Sequence, residues 1–420
     1  MYKHHYSKIK KYMVYCMIRK DGGSMKRITA LLLCLSVLCT ACASAAHSPQ
    51  PPTADRTQEL SSQFTFGWGY RCLNEQQQKN YATIFAVVHD GMAEKTYVTL
   101  SDEKRIPGVT VTLPVPLADE QQAKQLYEAF LQDNPQFFHL GGKYSFDGRQ
   151  LGTAKEFTTL TLTYTMDVKS RITAAEELEA AVTALLDNLP NGTDFEKELY
   201  LHDELLSRCH YHEQASIAQS PLEEYPTAFT AYGALVKGTA VCEGYSRAMQ
   251  YLLLRAEMEA TVITGFDSQN QAHMWNVVRV DGKDYHLDAT WNDRQNQITH
   301  TYFNLSDKAI GKTHTVENKT LGISPMSATA GQYYQYTDSY LKTKRLEQVA
   351  EFFAKRLSRG DTVIDVQLSP EAFHNTLFFV RSQAWFAETV NDALEGGAAP
   401  LSEYDYAYDE THCTITIYKK

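Results

Sequence analysis

Hydrophobic and polar positions divide most of the chain into segments of clear period. Leu160, Leu162, Tyr164 and Met166 alternate with Thr161, Thr163 and Thr165, the two-residue period of a half-buried strand. Residues 118–132 change to helical spacing, with Leu126, Tyr127, Phe130 and Leu131 on one face, and Asn134-Pro135 ends the run. Residues 97–100 read as a further strand. The apolar stretch 81–88 is rich in β-formers but open to helix as well. These elements predict a small α+β unit over 64–169, with no catalytic constellation visible in it.

A second unit runs over 170–326. Thr173 with Glu176, and Thr193 with Glu196, have the spacing of a capping box and predict two helix starts. In the second helix Phe195, Leu199, His202, Leu205, Leu206 and Cys209 share a broad inner face. Residues 242–256 predict another helix, 260–264 a strand, and a hairpin follows. The third unit, 334–420, is again α+β. It has a helix carrying Leu346, Val349, Phe352, Phe353 and Leu357, a strand at 362–368, and a helix start at Ser369-Pro370. A helix at 383–394 and two Tyr/Thr/Ile-rich strands complete it, and no internal repeat is present.

Composition agrees with three folded units. The chain has 420 residues, enough for about three domains. At 43% hydrophobic and 21% charged it belongs with globular chains rather than disordered ones. The formal charge is −10, but the first 41 residues hold eight Lys/Arg and one acid, so the rest carries 32 basic and 49 acidic side chains, a net of −17. Such an acidic body argues against nucleic acid as the main partner, because phosphate binding needs a basic surface. It also disfavours adhesion of the folded body to anionic lipid. Eight cysteines are too few for a disulfide scaffold.

The start of the chain reads as an address. Met25-Lys26-Arg27 is a short basic region, and 28–38 is an apolar core of signal-peptide length. Leu38-Cys39-Thr40-Ala41-Cys42 resembles a bacterial lipobox, with Cys39 where Leu is preferred. The resemblance implies a signal peptide over 25–42, lipidation of Cys42, and an extracytoplasmic lipoprotein held at the membrane by its lipid anchor. Ala43-Ser44-Ala45 instead suits ordinary cleavage and secretion, and the uncharged run 28–46 suits a retained anchor. Residues 1–24 do not look like part of a signal and are expected to be an upstream extension, with translation from Met25. Residues 43–63, polar and proline-containing, read as a tether.

The chemistry concentrates in 233–293. Cys242 falls at the start of a predicted helix that continues with Tyr245, Met249, Leu252, Leu253 and Ala256. A thiol there faces unpaired N–H groups and the positive end of the helix dipole, which favours thiolate and can bind a developing oxyanion. Gly244 is expected to let a substrate chain approach. Alone, such a cysteine is more often a buried, inert residue. Asp281-Gly282, between β-rich runs, predicts a two-residue turn. The resulting register sets Arg279 opposite Asp284, Trp275 opposite Asp288 and His273 opposite Thr290. One face then carries His273, Trp275, Val277, His286 and Asp288, and His273 and Asp288 become diagonal neighbours within side-chain reach. Met274, Val278, Tyr285, Leu287 and Ala289 form the other, core-like face. A helix-start thiol and a His–Asp pair on adjacent strands are the parts of a cysteine nucleophile, its base, and the group that orients the base.

Val241-Cys242-Glu243-Gly244-Tyr245, then His273-Met274-Trp275-Asn276, then 285–293 resemble, in that order, motifs of the bacterial transglutaminase-like superfamily over about 175–320. Met274 stands where that family commonly has Ala. The resemblance implies a papain-like core flanked by two small α+β domains. It makes Cys242 the nucleophile, His273 the general base and acid, and Asp288 the orienting residue. The fold places a side-chain oxyanion donor upstream of the nucleophile, for which Tyr232 is the candidate, a packed tyrosine being the other reading. Trp275 and Trp291 are candidates for the walls of an acyl groove, with core packing as the alternative. The segment Asp133-Asn134-Pro135-Gln136-Phe137-Phe138 looks like part of a domain that accompanies such cores.

No cofactor is implied. Cys209-His210-Tyr211-His212 with His202 fits no strong zinc pattern, and no Gly-rich phosphate loop is present, so no metal is expected. Cys72, Cys209 and Cys413 are left over, an odd number that cannot all pair within one chain. The expected function is that of a surface cysteine enzyme acting on a protein or peptide amide through a thioester. Water or an amine resolves that thioester, and the same triad serves peptidase and transglutaminase alike. The alternative from another class is a non-catalytic surface binding lipoprotein that retains the fold.

Overall fold

The computed structural model describes residues 67–100, 105–151, 154–294, 297–317 and 323–420. The expected signal peptide, lipidation site Cys42, tether and 1–24 extension lie outside the described residues.

The stretch 81–88 is helical, inside α1 (Glu75–Asp90). The β-formers lose because Asn74 and Gln77 form a reciprocal capping box that starts the helix six residues earlier, at the polar end of the run. Helix α2 (Glu120–Asp133) follows the predicted period and stops at Asn134. Strands β1 (Tyr97–Val98), β2 (Ile106–Leu117), β3 (Leu140–Leu151) and β4 (Ala154–Tyr164) pair antiparallel in the order β1-β2-β4-β3. Leu160 and Leu162 of β4 and Phe130 of α2 meet in one apolar cluster.

Helix α3 (Val168–Leu186) begins earlier than the Thr173–Glu176 spacing predicts. Asp167 is its cap, accepting from the Ser170 N–H, so Thr173 lies within the helix. Helix α4 (Asp194–Arg208) does start at the Thr193–Glu196 capping box. Strand β5 (His210–Tyr211) pairs in parallel with β6 (Thr239–Ala240), which leads into α5 (Cys242–Arg255). Strands β7 (Ala260–Asp267), β8 (Ala272–Val280), β9 (Lys283–Leu287) and β10 (His314–Val316) form an antiparallel sheet of order β10-β7-β8-β9. One face of this sheet, through Val278 and Leu287, packs on Leu201 and Leu205 of α4 and Met249 and Leu252 of α5. The other face packs Trp275, Val277 and Ile263 against Trp68 and Met326.

Helices α6 (Leu346–Ser358), α7 (Pro370–Arg381) and α8 (Gln383–Asp392) accompany a third sheet. Its strands are β11 (Tyr340–Leu341), β12 (Val363–Leu368), β13 (Tyr404–Asp409) and β14 (Thr414–Lys419), in the order β11-β12-β14-β13. The three sheets are tied by buried polar contacts. Gln132 of α2 donates to Thr261 Oγ1 at 2.5 Å and accepts on its backbone oxygen from Gln250 of α5 at 2.8 Å. His300 bridges Asp203 of α4 and Asp365 of β12 at 2.9 and 2.6 Å. No helix among the described residues is long and apolar enough to cross a membrane. Cys72, Cys209, Cys242 and Cys413 are free thiols.

Candidate active site

Cys242 is the first residue of α5, and the chain entering it is held on both sides. Gly238 takes a left-handed turn (φ 71°) that closes the preceding helical turn, and the Val241 N–H donates to Ala228 O at 3.0 Å. Gly244 has a different reason from the expected one. A Cβ there would lie 2.4 Å from Ala228 O and 2.7 Å from Ala240 Cβ, so the backbone it admits is the protein's own. The Ser246 hydroxyl is shared between Cys242 O (2.8 Å) and Met274 O (2.9 Å), and Asn276 Nδ2 donates to Ser246 O at 2.9 Å. These bonds clamp the first turn of α5 to β8, the strand that carries His273.

The β8–β9 hairpin has the register expected from Asp281-Gly282, with Arg279 opposite Asp284. Pairing ends at Leu287, however, and does not continue to Thr290. Asp288 instead caps a short helical turn, Ala289–Asn292, by accepting the Trp291 N–H on Oδ1 at 3.1 Å. His273 and Asp288 still meet: Nε2 donates to Oδ2 at 2.7 Å. The Cys242 thiol lies near enough to the same imidazole to raise its hold on a proton. Since Nε2 is taken by Asp288, Nδ1 is the nitrogen left for the thiol. Asp288 is fully buried and His273 nearly so, while Cys242 is half-buried.

Burial opposes charge on both partners, and their pairing outweighs it. Burial lowers the His273 imidazole, but the Asp288 charge and hydrogen bond, with Cys242 adding to them, push it up to about 10. Burial raises the Asp288 carboxyl, but His273 and then His314 hold it well below the usual range. His314, absent from the sequence-based site, is a second donor on Asp288 Oδ2 at 3.0 Å. It lies outside the three motifs, and only the pairing of β10 with β7 carries it there.

The weaker candidates separate. The Tyr232 hydroxyl donates to Glu177 Oε2 at 2.6 Å and its ring stacks on Phe138, so it does not face Cys242. Trp275 is fully buried and donates through Nε1 to His286 Nδ1 at 3.0 Å, a core residue beneath the site rather than a groove wall. Trp291 is half-buried with its ring centroid 5.9 Å from that of His273, at the rim. Tyr211, named in the sequence only within the Cys209–His212 run, pairs with Ala240 of β6 two residues before Cys242, near enough to feel the thiol's charge. Burial and then the Cys242 charge push it up to about 12, so it stays a hydroxyl donor.

Among the described residues, two clusters bring three donor atoms within 4.8 Å of one another: His273, Asp288 and His314; and His202, Asp203 and His300. In both, the atoms that would face an ion already pair with each other. Asn292 Oδ1 accepts the Tyr302 N–H, which turns its Nδ2 toward His202 Nε2 at 3.1 Å. His202 therefore carries its proton on Nδ1 and donates to Asp203 at 2.8 Å. Burial lowers His300, but Asp365 and Asp203 outweigh it and push it up to about 10.

Part of the chain is similar to a known family. Residues 183–289 match the model of the Transglutaminase-like superfamily, a span that includes Cys242, His273 and Asp288. Among solved structures the chain is similar to a TGase at 13% identity, covering 52% of this chain and 60% of that one with a TM-score of 0.26. It is similar to a proposed cysteine protease from Cytophaga hutchinsonii at 13% identity, covering 37% and 64% with a TM-score of 0.23. A proposed protease from Parabacteroides distasonis is similar at 16% identity, covering 35% and 30% with a TM-score of 0.21. The chain spans less than two thirds of the length of each. No curated protein matches it. The molecule is a mixed α+β protein with a transglutaminase-like core and additional sheets flanking it.

Proposed function

We propose that the protein is a cysteine acyl-transfer enzyme acting on a protein or peptide amide, with Cys242 as nucleophile, His273 as acid and base, and Asp288 as the orienting residue. The observation that carries this reading is the position of His273, between the Asp288 carboxylate at 2.7 Å and the Cys242 thiol. Cys242 sulfur attacks the carbonyl carbon while its proton is held by His273. The oxyanion is met by the Cys242 backbone N–H at the start of α5 and by the Tyr211 hydroxyl. His273 then gives its proton to the leaving amine as the C–N bond breaks, and a thioester forms. Water or a primary amine attacks the thioester, His273 takes the attacking group's proton, and the thiol is regained. The two outcomes are hydrolysis and amine transfer.

Over the whole chain, we propose that Cys42 is lipidated and the tether 43–63 holds the three units 64–169, 170–326 and 334–420 outside the membrane. Incorporation of labelled fatty acid, lost in Cys42→Ser, tests the anchor; a secreted protein without label overturns it. For the chemistry, iodoacetamide should alkylate Cys242 far faster than Cys72, Cys209 or Cys413 at neutral pH. Release of peptide against incorporation of a labelled primary amine, with Cys242→Ala as control, separates hydrolase from transferase. Equal alkylation of all four thiols, or full turnover by Cys242→Ala, removes the reading.

A further inference from the structure

We propose that His314 is a positioning residue that shares the charge of Asp288 with His273 and so governs how tightly His273 keeps its proton; the proposal rests on the triad reading above.

The Asp288 carboxylate receives three N–H donors. Trp291 N reaches Oδ1 at 3.1 Å, while His273 Nε2 (2.7 Å) and His314 Nε2 (3.0 Å) converge on Oδ2. A carboxylate only accepts, so both imidazoles carry a proton on Nε2. Two donors on one oxygen divide its charge, and each weakens the hold on the other. With Trp291 on one oxygen and His314 on the other, the carboxylate plane is also fixed before His273 docks on it.

His314 is itself held. Its Nδ1 pairs with Thr313 Oγ1 at 2.9 Å, and its ring packs against Trp291 (4.5 Å), Trp275 (5.0 Å) and Tyr302 (5.7 Å). At 4% exposed it is closed to substrate and acts only through Asp288. The other titratable groups facing the cluster are Cys242 from α5, Tyr211 from β5, Tyr302 from the loop before β10, and His286 from β9, itself paired with Asp307 at 2.9 Å.

The test follows the His273 imidazole by nitrogen-15 NMR across pH in the full chain, alongside the pH profile of Cys242 alkylation by iodoacetamide. In His314→Leu the His273 midpoint should rise, by about threefold or more in proton affinity. His314→Gln, whose amide N–H can still reach Oδ2, should return toward wild type. Thr313→Val, which leaves both histidines in place, should shift the midpoint in the same direction by less, and it carries the test if His314→Leu fails to fold. An unchanged midpoint in folded His314→Leu, or in Thr313→Val where that variant carries the test, overturns the proposal. Failure of the triad reading is separate, because it appears as turnover by Cys242→Ala, whereas the His273 midpoint is measured without substrate.

Discussion

His273 Nε2 and Asp288 Oδ2 lie 2.7 Å apart, one on strand β8 and the other at the cap of a helical turn just past β9. The contact is buried, so neither charge is screened by water, and each partner sets the protonation of the other. Asp288→Asn keeps the size of the side chain and an oxygen for the Trp291 cap but removes the negative charge. Turnover should fall by roughly a thousandfold with little change in KM, because the neutral amide no longer stabilises imidazolium or fixes its tautomer. Steady-state kinetics on either a peptide or an amine-acceptor substrate measures this.

Two tyrosines should behave differently when their hydroxyls are removed. Tyr211→Phe should lower kcat by roughly a hundredfold, the scale of one oxyanion donor. Tyr232→Phe should leave kcat unchanged and cost about 1 kcal/mol of stability, because its hydroxyl serves Glu177 and Lys237. Kinetics and thermal unfolding on the same two variants make the comparison, and equal kcat values would remove Tyr211 from the oxyanion site.

Glu198 makes stability depend on pH. It is fully buried on α4 with Asn304 Nδ2 donating to Oε2 at 2.7 Å, while Glu198 Oε1 and Asn304 Oδ1 are both buried acceptors without a donor. Protonation removes the charge from this buried, singly bonded carboxyl. Burial is the main reason the carboxyl is pushed up from 4.5 to about 8, against the lowering effect of Asn304. Below 4.5 both folded and unfolded states are protonated, and the contribution is fully present. As pH rises from there to about 8 the unfolded state loses its proton first, so stability falls. Urea unfolding at pH 5 and pH 8 should show this decline, and Glu198→Gln should lessen it, the remainder coming from His273 and His300, which also hold a proton more tightly when folded.

His300 is one of several polar pins between the core and the C-terminal sheet, with Thr301–Thr414 and Arg294–Asp409 beside it. It is a buried cation with Asp365 at 2.6 Å and Asp203 at 2.9 Å, stacked at 4.1 Å on Tyr333. Asp365→Leu leaves the pin one carboxylate short and should destabilise the protein by about 3–5 kcal/mol in chemical unfolding. Cys242 alkylation in the folded variant should be unaffected, since the pin lies outside the Cys242–His273–Asp288 contacts.

Several parts of the fold were legible because they depend on near neighbours. The Thr193–Glu196 box, the α2 period and the Asp-Gly turn of the β8–β9 hairpin are local patterns, and each has one low-energy solution. Where a local signal had a competitor nearby, the competitor could win. Asp167 took the helix start from Thr173, and the Asn74 box turned the β-formers of 81–88 into helix. The extension of the hairpin to Thr290 failed for the same reason, because the capping bond of Asp288 bends the chain away one residue after Leu287.

The amino-acid sequence by itself determined several of the helices and strands and the hairpin register, which brings Asp288 to the end of the strand beside His273's own. Only the tertiary structure decided which groups join them. Cys242 comes beside His273 because Ser246 and Asn276 clamp α5 to β8, His314 reaches Asp288 because β10 pairs with β7, and Tyr211 comes to the Cys242 end of α5 because β5 runs beside β6. Those contacts join segments far apart in the chain. No spacing encodes them; they follow from how the buried faces of helix and sheet come together.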